Sequence, residues 1–487
     1  MQRNKDGEPK LFSLFGLFSL IVLCTTLLNA ESFSEFKSVE ASTYKDYRDQ
    51  NDAAFQSYLK KQWKAYKASI SPSLYKEKKP KSIAPLVEKK VPAVGPIIQI
   101  VLPVKKPIKP LKKEIPKKVI KEKQGVFSLA FFGSKLTFVR DNRVLKAQFY
   151  PLNQAGIANF FTTLASSDYG VTLEAIKSYK KRLALNDWGV YLLIKKLSNH
   201  YFKDENEAKI YRWFLFNKLS YDVKIALSEN KNIYLLFYTK NIVYSTPRYH
   251  FGTKYYYIFS QYNRHNIAQI YTYEKNYPNA HKAFDFTLAT LPNLQKKIEK
   301  KELKFNEYGV TYNFTIHYNK NMIAFMKSYP QVDYKIYFDA PMEDETYRDI
   351  VFGIKKYTDG KKISAAMNFV LRFVQKAFRY ERDEEQFGAE KVMFAEETLY
   401  YNASDCEDRA ILFAYLIKKI FGVRVLGVKY PNHMTTALFI PLNGDVLYYG
   451  KRRYVLADPT YINANIGQEM PKYRSIQPDS FIVLSQK

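Results

Sequence analysis

Thiols are almost missing from this chain: Cys24 and Cys406 are its two cysteines. Two sulfurs so far apart exclude a disulfide scaffold, a zinc finger or an iron–sulfur cluster built by this chain alone. Glycine is scarce at 18 residues, which excludes collagen-like and glycine-linker classes. No glycine loop of the phosphate-cradling kind occurs, so no nucleotide is expected. Histidine is equally sparse, and His200, His250, His265, His281 and His317 show no metal-ligand spacing. Neither a cofactor nor a metal is expected. Acidic residues are also in deficit, 47 against 76 basic ones, for a net charge of +29.

What is present in quantity is apolar and aromatic side chains: 46% of residues are hydrophobic, with 41 Tyr and 35 Phe among 487 residues. That is enough for two or three cores, so wholesale disorder is excluded. The N-terminus carries Arg3, Lys5 and Lys10, then an apolar or small run from Leu11 to Leu28, then Asn29-Ala30. This is the order of a secretory signal peptide. The run is also at the lower edge of a bilayer span, so an uncleaved anchor through residues 11–28 is the alternative. Either way the chain is expected to be exported, to a periplasmic location, with Cys24 a component of the apolar run. If cleavage occurs, Cys406 is the sole cysteine left.

Composition shifts along the chain. Residues 31–75 are polar and helix-compatible. Residues 76–124 hold fifteen lysines, four glutamates and eight prolines, a local charge of +11. Proline at this density blocks helix and sheet, and like charges repel, so an extended spacer is expected, with a reach on the order of 150 Å at about 3.1 Å per residue. Adhesion to an anionic lipid or envelope polymer is its second reading. Nucleic acid is not expected as a partner, because the chain is exported and carries no recognition motif.

From Gly125 onward the pattern is that of an α+β chain. Residues 125–150 predict two strands across a Gly133-Ser134 turn, 154–220 helices, and 251–345 a β-rich middle domain. An accessory domain is expected over 125–250. Ile363, Ala366, Met367, Val370 and Val374 then share one helical stripe.

The segment that carries chemistry begins at Asp405-Cys406-Glu407-Asp408-Arg409-Ala410. Acidic residues suit a helix start, Lys418 and Lys419 suit its last turn, and Gly422 suits its stop. A thiol at a helix N-terminus is favoured as thiolate by the dipole. A core cysteine on the stripe Cys406, Ala410, Phe413, Ala414 and Ile417 is the bland alternative. A helix of sixteen residues from 406 to 421 runs about 24 Å, and the eight-residue strand 423–430 runs about 26 Å back. That return delivers His433 to the level of Cys406. The next two strands, turning near Asn443-Gly444-Asp445 and Gly450-Lys451, return Asp458 to the side of His433. Thiol, imidazole and carboxylate in that order form a nucleophile, base and orienter.

These residues, with Asp458-Pro459-Thr460, Phe378-Arg379-Tyr380 and Gln386-Phe387-Gly388, resemble the bacterial transglutaminase-like superfamily of papain-like fold, over residues 361–470. The resemblance implies a C-terminal catalytic domain (346–487) with the cysteine helix on an antiparallel sheet. It also implies acyl transfer through a thioester on Cys406, resolved by water (protease or amidase) or by an amine (cross-linking), acting on a protein or cell-wall peptide. A noncatalytic envelope scaffold that retains the fold is the alternative. His433 and Asp458 take the roles of base and orienter. Tyr400 and Tyr401 are candidates for the oxyanion site, with Asp405 and Arg409 in support. Asp405, Glu407 and Asp408 oppose a thiolate unless their charges meet backbone donors or Arg409.

At an offset of two hundred residues, Glu207 to Lys218 lies over Glu407 to Lys418. In that register Asn206 stands for Cys406 and Ile233 for His433. Residues 150–250 are then either a degenerate, silent copy of the catalytic unit or a chance likeness.

Overall fold

A computed structural model describes residues 33–76, 78–79, 83–104, 125–259 and 269–485. The apolar run 11–28 with Cys24, and the stretch 105–124 of the Lys/Pro-rich segment, lie outside the described residues. The chain divides into two units, residues 1–61 and 62–487. The first contributes one helix, Phe33–Leu59. Among the described residues, no helix is long and apolar enough to cross a membrane.

The second unit mixes helices and antiparallel sheets, an α+β architecture. After two short strands, Lys64–Lys67 and Ser69–Ile70, comes the hairpin Val126–Phe131 and Ser134–Val139, whose turn is Phe132-Gly133 at φ 43 and 81, one residue earlier than expected. Four helices follow between Gln154 and Lys218, the last being α1 (Glu205–Lys218). Then come strands β1 (Val223–Leu227), β2 (Ile233–Tyr238), β3 (Pro247–Phe251), β4 (Lys254–Tyr257) and β5 (Gln269–Thr272). They lie in the order β5-β1-β2-β4-β3, with Lys64–Lys67 and Ser69–Ile70 added at the two edges.

The expected boundary between an accessory domain ending at 250 and a β-rich middle domain starting at 251 cuts through a hairpin. Phe251 pairs with Lys254, and Phe237 with Tyr257. The tyrosine-rich run at 254–257 therefore completes the preceding sheet, burying Tyr256 and Tyr257 against it. Of the supposed middle domain, two ten-residue strands, Ile298–Glu307 and Val310–Asn319, form a two-stranded sheet of their own.

Towards the C-terminus, helix α2 (Ile363–Lys376) buries Ala366, Met367, Val370 and Val374, the stripe its spacing predicts. Helix α3 (Cys406–Phe421) ends at Gly422, whose φ of 66 is the left-handed stop that glycine adopts without strain. Strands β6 (Val425–Tyr430), β7 (His433–Leu438), β8 (Val446–Tyr449), β9 (Arg452–Ala457) and β10 (Ser480–Val483) complete the chain. Their order is β10-β6-β7-β9-β8. Position for position this is the order of the first sheet, and the correspondence runs past the expected limit at 250 to Thr272. Each set is preceded by one helix, α1 or α3, packed on its first two strands.

Of the Lys/Pro-rich segment, residues 83–104 form no helix, and they are docked rather than free. Leu86 N–H donates to Ile462 O at 3.1 Å, Ile98 N–H to Lys361 O at 3.0 Å, and Ile363 N–H to Pro96 O at 2.8 Å. Ile83 and Leu86 pack on the core formed by Leu426, Val428, Tyr430 and Leu456. Proline removes donors but not acceptors, and the isoleucines and leucines between prolines supply apolar anchors. A spacer reach computed from the whole segment therefore does not apply to these residues.

Candidate active site

Cys406 is the first residue of α3, and its side chain is fully buried. His433 opens β7, one of the strands on which α3 packs. The two-residue turn Pro431-Asn432 fixes it there, since Tyr430 pairs directly with His433. Its Nε2 lies 2.8 Å from Asp458 Oδ2. Asp458 follows the end of β9, where Ala457 pairs with Thr436. The antiparallel return that the loop arithmetic predicted thus brings imidazole and carboxylate into contact.

Asp458 is held from its other side as well. Its Oδ1 accepts from Thr460 N–H at 2.8 Å and Tyr461 N–H at 3.2 Å, a turn an aspartate makes with its own backbone. Gln375 Nε2, at the end of α2, donates to the carbonyls of Asp458 (2.9 Å) and Tyr461 (2.8 Å). Arg372, buried one turn earlier, donates to Gln375 Oε1 at 2.7 Å and to Glu307 at 3.0 Å. Gln375→Leu is expected to cost about 2–3 kcal/mol, because buried carbonyls lose their donor. A urea midpoint unchanged from the wild type would contradict that.

Tyr473 lies flat on His433, with ring centroids 4.7 Å apart, and donates to Asn432 Oδ1 at 3.0 Å. Its phenol is pushed up by burial first, then by the charges of Cys406 and Asp458. The second half of the comparison comes from the first sheet. There Asn206, at the position of Cys406, accepts from Ile233 N–H at 2.9 Å, and Ile233 holds the position of His433. In that sheet the helix start and the strand start touch directly.

The sulfur itself meets other groups. Its thiol donates to Glu407 Oε2 at 3.3 Å, and Tyr75 Oη lies 3.6 Å away. Tyr75 donates to Glu407 Oε2 as well, at 2.9 Å. Burial pushes the Cys406 thiol well up, and Glu407 and Asp405 add to it; Lys79 and the Tyr75 hydroxyl oppose the rise without cancelling it. The expectation that the helix dipole yields a thiolate is therefore reversed in this state. A partial dipole charge is outweighed by desolvation and two full carboxylates.

Asp405 caps α3, and its N–H donates to Asp408 Oδ2 at 3.4 Å, while Asp408 Oδ1 accepts from Met393 N–H at 2.8 Å. Arg409, expected as a partner for these acids, points elsewhere. It donates to Ser404 Oγ (3.1 Å) and to the carbonyls of Gln375 (3.2 Å) and Phe378 (2.8 Å), closing the end of α2. Burial lowers its guanidinium to about 10. The countercharge comes instead from Lys79, whose side chain is 2% exposed and pairs with Asp405 and Glu407, with Glu390 at 3.1 Å and with Asp383 at 3.5 Å.

Tyr400 and Tyr401 are not brought to the sulfur. Their rings pack on Tyr318 and Phe387, and Lys301 Nζ binds their carbonyls at 2.6 and 2.8 Å. The phenol on the thiol is Tyr75. Nothing in a run of fifteen lysines marks Lys79 out, and Tyr75 lies 331 residues from the cysteine. A buried acid cluster without a cation of its own was the one available signal. Comparison of the chain with protein-family models, with curated proteins and with solved structures finds no match.

Proposed function

We propose that the chain is an exported, transglutaminase-like cysteine hydrolase of amide bonds in a protein or cell-envelope peptide. Cys406 is its nucleophile, His433 its base and Asp458 its orienter. The observation that carries the reading is the His433–Asp458 pair at 2.8 Å, at the start of the strand beneath the cysteine helix. Asp458 accepts from Nε2–H and so leaves Nδ1 unprotonated, ready to take the thiol proton. The thiolate then attacks the amide carbonyl, and the C–N bond breaks as the imidazolium returns its proton to the leaving amine. Water, deprotonated by the same nitrogen, cleaves the thioester to free acid and regenerates the thiol. As the first residue of α3, Cys406 has a backbone N–H without an intrahelical acceptor, available to the oxyanion.

The test uses the purified chain at pH 7. Iodoacetamide should label Cys406 without denaturant, and Cys406→Ala should abolish both labelling and any peptide-amide turnover. Turnover that survives Cys406→Ala refutes the assignment. The enclosure of the sulfur favours a second reading, a noncatalytic scaffold that retains the fold. Labelling of Cys406 only after denaturation would select it. A transamidase would place an added primary amine in the product, where a hydrolase releases acid.

A further inference from the structure

One carboxylate oxygen from each of Asp383, Glu390, Asp405 and Glu407 lies within 4.8 Å of the others. Three of these side chains are enclosed, and Glu390 is 34% exposed at the mouth. The pocket adjoins the sulfur, since oxygen atoms of Asp405 and Glu407 lie within the same 4.8 Å of Cys406 Sγ. Among the described residues its one occupant is the ammonium of Lys79, which pairs with all four acids. The occupant does not exhaust it. Asp383 Oδ1 and Asp405 Oδ1 are buried without any hydrogen-bond partner, so the pocket presents more acceptors than one lysine uses.

Lys79 reaches this place from far up the chain, and it does not come alone. Tyr75, four residues before it, lies on Cys406 Sγ, and the Lys79 ammonium sits 4.6 Å from the Tyr75 ring. The chain therefore brings one of its own stretches to the sulfur, the Tyr75 hydroxyl against Sγ and the Lys79 ammonium among the acids. Any substrate must displace it to reach the sulfur. An empty pocket would leave several carboxylates buried without a countercharge, which is costly, so exchange must be one cation for another.

Resting on the hydrolase reading, we infer that Asp383, Glu390, Asp405 and Glu407 form a specificity subsite beside Cys406. The subsite takes the primary ammonium of a lysine or other diamino-acid side chain in the substrate, and Lys79 occupies it in cis. The bound group is recognised, not consumed. Burial would lower the Lys79 ammonium, but Asp405, Glu407 and Asp383 reverse this and hold it well above its usual range. An amine kept protonated has no lone pair with which to attack a thioester, so the pocket selects a neighbouring side chain rather than delivering an acyl acceptor.

The test needs no substrate. In the full-length Lys79→Ala chain, n-butylammonium should raise the melting temperature in a dose-dependent way, whereas n-butanol should not. At Cys406, read by peptide mass apart from Cys24, the same variant should react with the aminoethyl methanethiosulfonate about tenfold or more faster than with its sulfonatoethyl counterpart, because the acids attract the cation. Should Lys79→Ala fail to fold, n-butylammonium added to the wild-type chain should compete with Lys79 and speed the modification of Cys406, which n-butanol should not. Equal rates, or stabilisation by calcium chloride but not by butylammonium, would overturn the subsite. So would a sulfur that neither reagent reaches in any folded form. The outcome is separable from the hydrolase reading, since both reagents require a reachable sulfur and not amide turnover.

Discussion

Asp458→Asn is expected to lower turnover by roughly three to four orders of magnitude, as much as the loss of a triad base, although it changes one atom. The reason lies in what else Asp458 does. Its Oδ1 accepts two backbone N–H groups, from Thr460 and Tyr461. An asparagine must keep its oxygen there, so its NH2 is turned towards His433. That donor fits only a bare Nε2, which moves the imidazole proton to Nδ1, the nitrogen meant to accept from the thiol. The fold should survive, because the turn is retained. The loss should therefore fall on kcat with little change in KM, and the iodoacetamide rate at pH 7 should fall with it. His433→Ala, which removes the base outright, should do no worse. An asparagine variant as fast as the wild type would remove Asp458 from the mechanism.

The second large effect concerns stability. Lys79→Met is expected to cost about 3–5 kcal/mol at pH 8, since it strands buried carboxylates that lose their countercharge. The loss should shrink as pH falls. Burial above all holds the carboxyls of Asp383 and Asp405 well above the usual range; neighbouring acids add to it, and Lys79 opposes it without cancelling it. Groups whose folded pKa lies above the unfolded value bind more protons when folded. Their favourable contribution is complete below the unfolded pKa, near 4, and is lost as pH rises through the folded one. Without Lys79 this term dominates, so urea midpoints of the variant should approach those of the wild type near pH 5 and diverge by pH 8. An equal deficit at both pH values would mean that the pocket does not depend on the lysine for its charge balance.

Much of the C-terminal geometry was legible because it follows from local quantities. Acidic residues at 405–408 and Gly422 bound the helix, the helix and strand lengths match, and a two-residue turn leaves His433 no freedom of register. The meeting of His433 and Asp458 is arithmetic on strand lengths. What was not legible depends on contacts between distant stretches. Tyr75 and Lys79 belong to segments whose composition is that of surface and linker, and only the fold brings them under the acids of α3. The direction of the thiol's shift follows from that burial, which no helix-dipole argument contains. The boundary at 250 failed for a related reason: a tyrosine run looks alike whether it founds a new sheet or closes the previous one, and the pairing of Phe251 with Lys254 decides. The repeated strand order could be suspected from a faint two-hundred-residue likeness, but it takes the pairing of β4 and β5 to complete it.

That repetition gives the molecule a built-in reference. At the start of α1 an amide stands where α3 has a thiol, and its oxygen accepts from the backbone N–H of residue 233. A thiol reagent therefore meets, in the same polypeptide and under the same conditions, a second unit of equal strand order whose helix start carries no sulfur. Amide hydrogen exchange that quickens at both helix starts would report general loosening of the chain, and exchange that quickens at one alone would report local opening.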